Sequence, residues 1–536
     1  MRADLVIRGG RVFTADPRQM FAEAVAVGGE RIVAVGSRDD LDPLIEPGTE
    51  IMDVEGLVTP GFIDAHVHPA TSGLDRLRIS FEECDDADDA VAAIAAYATS
   101  RPDQEWLIGA GWLQSWFDRG CPSKESIDRV VPDRPVLVSN ADGHGAWANS
   151  AALDRAGVTG ETPDPADGRI ERLPDGAPQG TLHEGAVALV ERVVPDDTAE
   201  DFVVGLLRGQ HELLRRGITG WQDAAVSKEV QEAYLRLAGD GRLLGRVVGS
   251  LWWDRHRGLE QIDDLIERRD HDAPGFRPTT VKLMLDGVAE NFTAAMLEPY
   301  LDGSGSATEH RGMDLIDPAL LKEAVTALDG RGFQCHFHAI GDRAVRNALD
   351  AVEHAVAVNG PSDNRHHIAH LQVVHPDDLA RFAELGVVAN CQALWAQNDD
   401  YQIELTQPFL GSLRSSWQYP FGNLLRTGAR LAMGSDWGVT TADVMQQVHV
   451  AVHRAVDEET APLGPEQALT PLQALTAFTS GSAYVNHSET ETGMIAPGMI
   501  ADLAVLDRDP LREGPIRDAE VALTLVGGKV VWSTDG

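Results

Sequence analysis

The stretch GFIDAHVHP, Gly61 to Pro69, sets two histidines one residue apart at the end of an apolar run. Residues i and i+2 of a β-strand point to the same face. If Phe62 to Val67 is extended, His66 and His68 project side by side, and two neutral imidazoles on one face can chelate a divalent ion. A bare HxH also arises by chance at solvated turns. Its meaning therefore depends on partners elsewhere in the chain.

VTPGFIDAHVH is the first of eight strand-like runs; the others are GITGWQDA, RVVGSLWW, TTVKLMLDG, FQCHFHAIG, RHHIAHLQ, GVVANCQA and RLAMGSDW. Helical patterns separate several of them. In DPALLKEAVTALDGRG, Asp317 reads as an N-cap and Pro318 as the first helical residue. Leu320, Leu321, Ala324, Val325 and Leu328 fall on one face, and glycine closes the segment. Strands alternating with helices predict a parallel sheet, and eight such units predict an α/β fold, a (β/α)8 TIM barrel. The gap from Ala70 to Asp201 is too long for one crossover and reads as an insertion after barrel strand 1, covering the face where barrel active sites lie. Both chain ends carry short β-like runs split by Gly-Gly (LVIRGGRVF, VAVGGERIVAV, VALTLVGGKVVW), a hairpin signal.

The formal net charge of −39 over 536 residues argues against nucleic-acid or anionic-membrane partners. No apolar run is long enough to span a bilayer, and MRADLVIRGGRVF has no apolar core of a signal peptide; the expected location is the cytoplasm. Cys84, Cys121, Cys335 and Cys391 are scattered and form no CxxC, so no disulfide framework is expected. Lysine occurs only at positions 124, 228, 282, 322 and 529, which makes Lys282, inside an apolar strand, worth explaining.

Partners for the HxH pair sit toward the C-terminal ends of later strands: Lys282 on strand four, His336 and His338 on strand five, His370 on strand six and Asp436 on strand eight. A barrel would gather these ends into one ring. Together with TPGFIDAHVHP, KLMLDG, HFHAIGDRAV, HIAHLQ, GSDWG and GMIAPGMIADLAVLDRDP, this set resembles the metal-dependent amidohydrolase superfamily. The likeness is to its amidohydrolase family 3 branch, which includes N-substituted formamide deformylase and YtcJ-like proteins. The resemblance implies a small β-sandwich formed by both ends (residues 1–58 and 490–536), a hydrolase barrel (59–69 and 202–489) and the insertion (70–201). It also implies His66 and His68 as ligands of one metal, Lys282 as a carbamylated bridge, and His338 and His370 as ligands of a second. Asp436 would touch a metal and act as the catalytic proton carrier. Mixed His/carboxylate sets suit Zn²⁺, one or two ions per chain.

His336 reads as packing beneath the ligands, and His366 and His367, at the start of strand six, as solvated. His144 is a candidate substrate-binding residue, as are Trp112 and Trp437, with Trp116 and Trp147 as weaker candidates for an apolar wall. Glu184 and Asp286 have polar roles that the sequence does not fix. GSGSATEHRG reads as a lid or a surface loop. The expected reaction is hydrolysis of a small amide or N-substituted formamide. A mononuclear deaminase is disfavoured by Lys282 and by the absence of a glutamate after His338; ester or lactone hydrolysis uses the same chemistry. The rival of another class is a catalytically silent small-molecule-binding regulator, which would tend to lose a ligand. The resemblance allows a homodimer.

Overall fold

The computed structural model describes residues 2–534. At its centre, eight strands are hydrogen-bonded in chain order. They are β1 (Phe62–Val67), β2 (Ile218–Val226), β3 (Arg246–Trp252), β4 (Phe276–Met284), β5 (Gln334–Ala339), β6 (His367–His370), β7 (Val388–Cys391) and β8 (Leu431–Met433). Every neighbouring pair is parallel. Each of the eight runs quoted above supplies one strand.

The chain beyond β8 returns to β1. The Asp436 N–H donates to the His66 carbonyl at 2.8 Å, and the His68 N–H to the Trp437 carbonyl at 2.9 Å. Asp64 accepts hydrogen bonds from both the backbone and the hydroxyl of Ser435. Gly434 makes this seam, since a Cβ there would lie 2.5 Å from the His66 nitrogen.

A parallel sheet must be covered on both faces. Outside, helices such as Pro318–Asp329 and Asp342–Asn359 pack on the strands in one continuous core. Pro318–Asp329 starts as its sequence predicts. Asp317 caps it by accepting from the N–H groups of Ala319 and Leu320, and Leu321, Ala324, Val325 and Leu328 are buried. Inside, alternate residues stack in layers, and the β4–β5 register aligns Thr280 with Gln334, Lys282 with His336, and Met284 with His338. The lowest of these layers is closed by the Gln222 amide, which donates to Thr280 and Gln334. His66, Lys282 and His336 come next, and the remaining ligand candidates lie above them at the mouth.

Both chain ends meet in a second, mixed sheet. Leu503–Leu506 pairs with Leu57–Pro60, which pairs in turn with Leu5–Phe13. Gly28-Gly29 and Gly527-Gly528 turn hairpins, as expected. Gly9-Gly10 does not. Leu5–Phe13 is a single strand that bulges there. Its edge pairs with Glu50–Asp53 and then with Leu57–Pro60. The intervening backbone passes so close that a Cβ on Gly10 would lie 2.0 Å from the Gly56 carbonyl oxygen. The glycines admit a neighbouring backbone rather than a turn.

Between β1 and β2 a third sheet of six strands, from Ile79–Ser80 to Pro178–Glu184, has its own apolar cores. Its loops reach over the barrel mouth. Among the described residues, no helix is long and apolar enough to cross a membrane.

Candidate active site

The strand ends deliver the ligand candidates to one place. Asp436 Oδ1 lies 3.5 Å from His66 Nε2 and 3.2 Å from His68 Nε2, and Asp436 Oδ2 lies 3.8 Å from His370 Nδ1. Lys282 Nζ is 3.5 Å from His66 Nε2. The His338 ring centroid is 4.5 Å from that of His370. The structure thus brings together His66, His68, Lys282, His338, His370 and Asp436.

The imidazoles are aimed from behind. His66 Nδ1 is 2.8 Å from His336 Nε2, and the other His336 nitrogen is 3.1 Å from the Ser250 hydroxyl. This leaves His66 Nε2 facing Lys282 and Asp436. His338 Nδ1 is 3.2 Å from Asp286, whose carboxylate also accepts from the N–H groups of Ala295, Ile340 and Gly341. A carboxylate behind a ligating histidine fixes its tautomer and orientation. Asp286, whose polar role the sequence left open, stands behind His338 in this position.

Burial dominates the electrostatics. It holds His66, His336, His338 and His370 well below the usual histidine range, so these rings keep a free lone pair. It pushes Lys282 down to about 7 against the opposing pull of Asp436, leaving much of its amine neutral. Burial also raises Asp64 and Asp286 to about 7. His144 goes the other way. Burial, the largest single effect, opposes its charge, but the Glu184 carboxylate, 3.0 Å from Nδ1, together with Asp142 and Asp286, lifts it to about 9.

The donor set fits a divalent cation. Oxygen and nitrogen atoms of His66, His370 and Asp436 lie within 4.8 Å of one another. His370 Nδ1 and Asp436 Oδ1 are buried without a hydrogen-bond partner, a condition that costs about 1–3 kcal/mol per group unless something satisfies it. Three residues here also hold left-handed backbone: His370 at φ 78°, Asp436 at 54° and Glu184 at 51°. Such strain persists where surrounding structure enforces a functional geometry.

The ligand candidates line a cavity of about 1080 Å³ roofed by the insertion. His144, Glu184, Trp116 and Trp437 line it too. Trp112 does not. It is fully buried in the insertion core against Phe117 and Trp147, with its indole N–H donating to the Val138 carbonyl. Alternation alone would put Trp112 on the cavity face with Ile108 and Ala110, but the strand bulges at Gly111 (φ 110°) and turns it inward, so Trp112 and Trp147 are core. His366 and His367 are buried rather than solvated. His366 is 3.1 Å from Asp329 and accepts from the Cys335 N–H, while His367 packs on His336 at 4.1 Å. The GSGSATEHRG stretch folds back on Tyr300 and lines no part of the cavity.

Two residues went unnoticed in the sequence. Asp64, inside the opening motif, ties β1 to Ser435. Trp395, just past β7, stacks on His370 at 5.3 Å and 12° and lines the cavity. The only available signal for Trp395 was its place after a barrel strand.

A parallel eight-stranded barrel whose strand ends converge on four histidines, a buried lysine and an aspartate is the architecture of metal-dependent amidohydrolases. The chain belongs to the amidohydrolase family, whose model matches residues 50–532. It is 30% identical to Protein LONG AFTER FAR-RED 3 of Arabidopsis thaliana, over 99% of this chain and 92% of that one. It is 28% identical to the N-substituted formamide deformylase of Arthrobacter pascens, over 99% of each. Among solved structures, an uncharacterized metal-dependent hydrolase from Pyrococcus furiosus superposes with a TM-score of 0.72 at 25% identity, covering 95% of this chain and all of the other.

Proposed function

We propose that this chain hydrolyses the carbon–nitrogen bond of a small amide or N-substituted formamide at a divalent-metal centre held by His66, His68, Lys282, His338, His370 and Asp436. The observation that carries this reading is the convergence of neutral imidazoles and an unpartnered carboxylate oxygen in one roofed cavity. A divalent ion bound there would supply Lewis acidity and lower the pKa of water toward about 7.

The chain's own groups do the rest. Lys282, with much of its amine uncharged near pH 7, can form an N–C bond to CO2 through its Nζ with loss of a proton, and the resulting carbamate would offer oxygen atoms to the metal centre. Asp436 accepts the proton of the attacking water and passes it to the leaving nitrogen, acting first as base and then as acid. His144, held protonated by Glu184, faces the cavity beside His338 (5.1 Å between ring centroids) and donates to the developing oxyanion. Trp116, Trp395 and Trp437 offer apolar wall to an N-substituent. The deformylase name of a full-length relative supports formamides as the first substrates to try.

The test is a hydrolysis screen of N-alkyl and N-aryl formamides and acetamides, with esters and lactones alongside. Turnover of amides that disappears in Asp436→Asn is expected. Release of ammonia from an aminated ring, with no amide cleaved, would replace this reading with the aminohydrolase one.

A further inference from the structure

A second constellation lies in the insertion. Glu171 is on the strand Gly168–Arg172 and His183 on its antiparallel neighbour Pro178–Glu184. Arg169 pairs across from His183 in the register, so Glu171, two residues on, projects from the same face. Cys121 comes from the turn after Asp118–Gly120, where Arg119 and Gly120 both hold left-handed backbone, at φ 52° and 71°.

That turn is pinned by the same strand face. The Gln179 amide donates to the Cys121 carbonyl at 2.9 Å and the Thr181 hydroxyl to the Pro122 carbonyl at 2.8 Å. Gln179, Thr181 and His183 follow the period of two, so one face fixes both the thiol-bearing turn and the imidazole. Cys121 Sγ is 3.9 Å from His183 Nε2, and Glu171 Oε1 is 3.2 Å from the same nitrogen. The three donors lie within 4.8 Å of one another. His183 is 1% exposed, and it is its Nε2 that faces both Cys121 and Glu171. Cys121 and Glu171 are only half-buried, which leaves a path from solvent. None of the three lines the barrel cavity.

We propose that Cys121, Glu171 and His183 form a second metal site, which takes one thiophilic divalent ion of the Zn²⁺ class. Thiolate, imidazole and carboxylate are three of the four donors of a tetrahedral site, with water as the fourth. Binding replaces the Cys121 S–H bond with an S–metal bond and releases the proton to solvent. Arg169 stays hydrogen-bonded to Glu171 at 2.8 Å, as a neighbour that orients the carboxylate. The ion would clamp the turn to the strand whose next residue, Glu184, holds His144 over the barrel mouth. This site stands independently of the barrel reaction.

Cobalt separates the two sites, because the barrel donor set contains no cysteine. Metal-free protein is reloaded with Co²⁺, and its near-ultraviolet absorption and cobalt content are measured. A thiolate-to-cobalt charge-transfer band is expected in the wild type and in Cys84→Ser. In Cys121→Ser the band should vanish, with one cobalt fewer per chain. In wild-type protein, Co²⁺ should also protect Cys121 from a thiol-alkylating reagent, read by peptide mass. No band in the wild type, a band that survives in Cys121→Ser, or no protection of Cys121 would leave these residues as an ordinary Glu–His–Arg ion-pair network and overturn the site.

Discussion

Replacing Lys282 with methionine should stabilise the metal-free protein, by an amount that depends on pH. Lys282 is 2% exposed, and burial lowers it from 10.5 to about 7. A base whose folded pKa is depressed destabilises the fold once the unfolded chain holds the proton more tightly. Above about pH 10.5 the amine is neutral in both states and the cost is absent. It grows as the pH falls, and it is complete below about 7. At about 1.4 kcal/mol per unit, the full effect is roughly 5 kcal/mol. Methionine keeps the length of the side chain without the charge. Urea unfolding of metal-free wild type and Lys282→Met, followed across this pH range, should show the variant ahead near neutrality, with the gap closing toward alkaline pH. A gap that ignores pH, or a variant less stable throughout, would refute the idea that burial holds this amine near neutral. It would also remove the physical basis for its reaction with CO2.

Asp436→Asn should fold normally and lose about 10²–10⁴-fold in kcat, because the amide cannot carry a proton; wild-type turnover would remove Asp436 from the chemistry. Asp286→Asn, which disturbs the hold on His338, should weaken metal binding about 10–100-fold, as measured by competition with a chelator. His144→Gln should lower kcat more than it raises KM, since its contact is made with charge that develops during reaction; a change in KM alone would make it a binding residue only.

The barrel was legible because its signals are local and repeated. HxH and HFH set histidines on a period of two at the ends of apolar runs, and HIAH ends its run on His370. Lys282 was conspicuous because lysine is so rare in this chain. What escaped depends on long-range packing. The Gly9-Gly10 pair looks like any hairpin until Val54 and Gly56 are seen crossing over it. His367 looks solvated until β5 places His336 against its ring. Trp112 and Trp116 are alike in sequence, but a bulge at Gly111 turns Trp112 into the insertion core, whereas Trp116, on the short turn beyond the strand, packs at the edge of that core and also lines the cavity. Trp395 ends a three-residue 3-10 turn, Ala393–Trp395, too short to show a pattern, so nothing local marks it as the plate behind His370.

The most direct test of the barrel centre is metal per chain, by elemental analysis of Cys121→Ser protein purified without chelator and with bicarbonate present. The Cys121 substitution keeps any ion in the insertion out of the count. About two ions are expected, falling to about one in Lys282→Ala. A count of one in both proteins would contradict the bridging role of Lys282. No ion at all, even after reloading, would contradict the metal centre itself and leave a barrel that binds its small molecule without hydrolysing it.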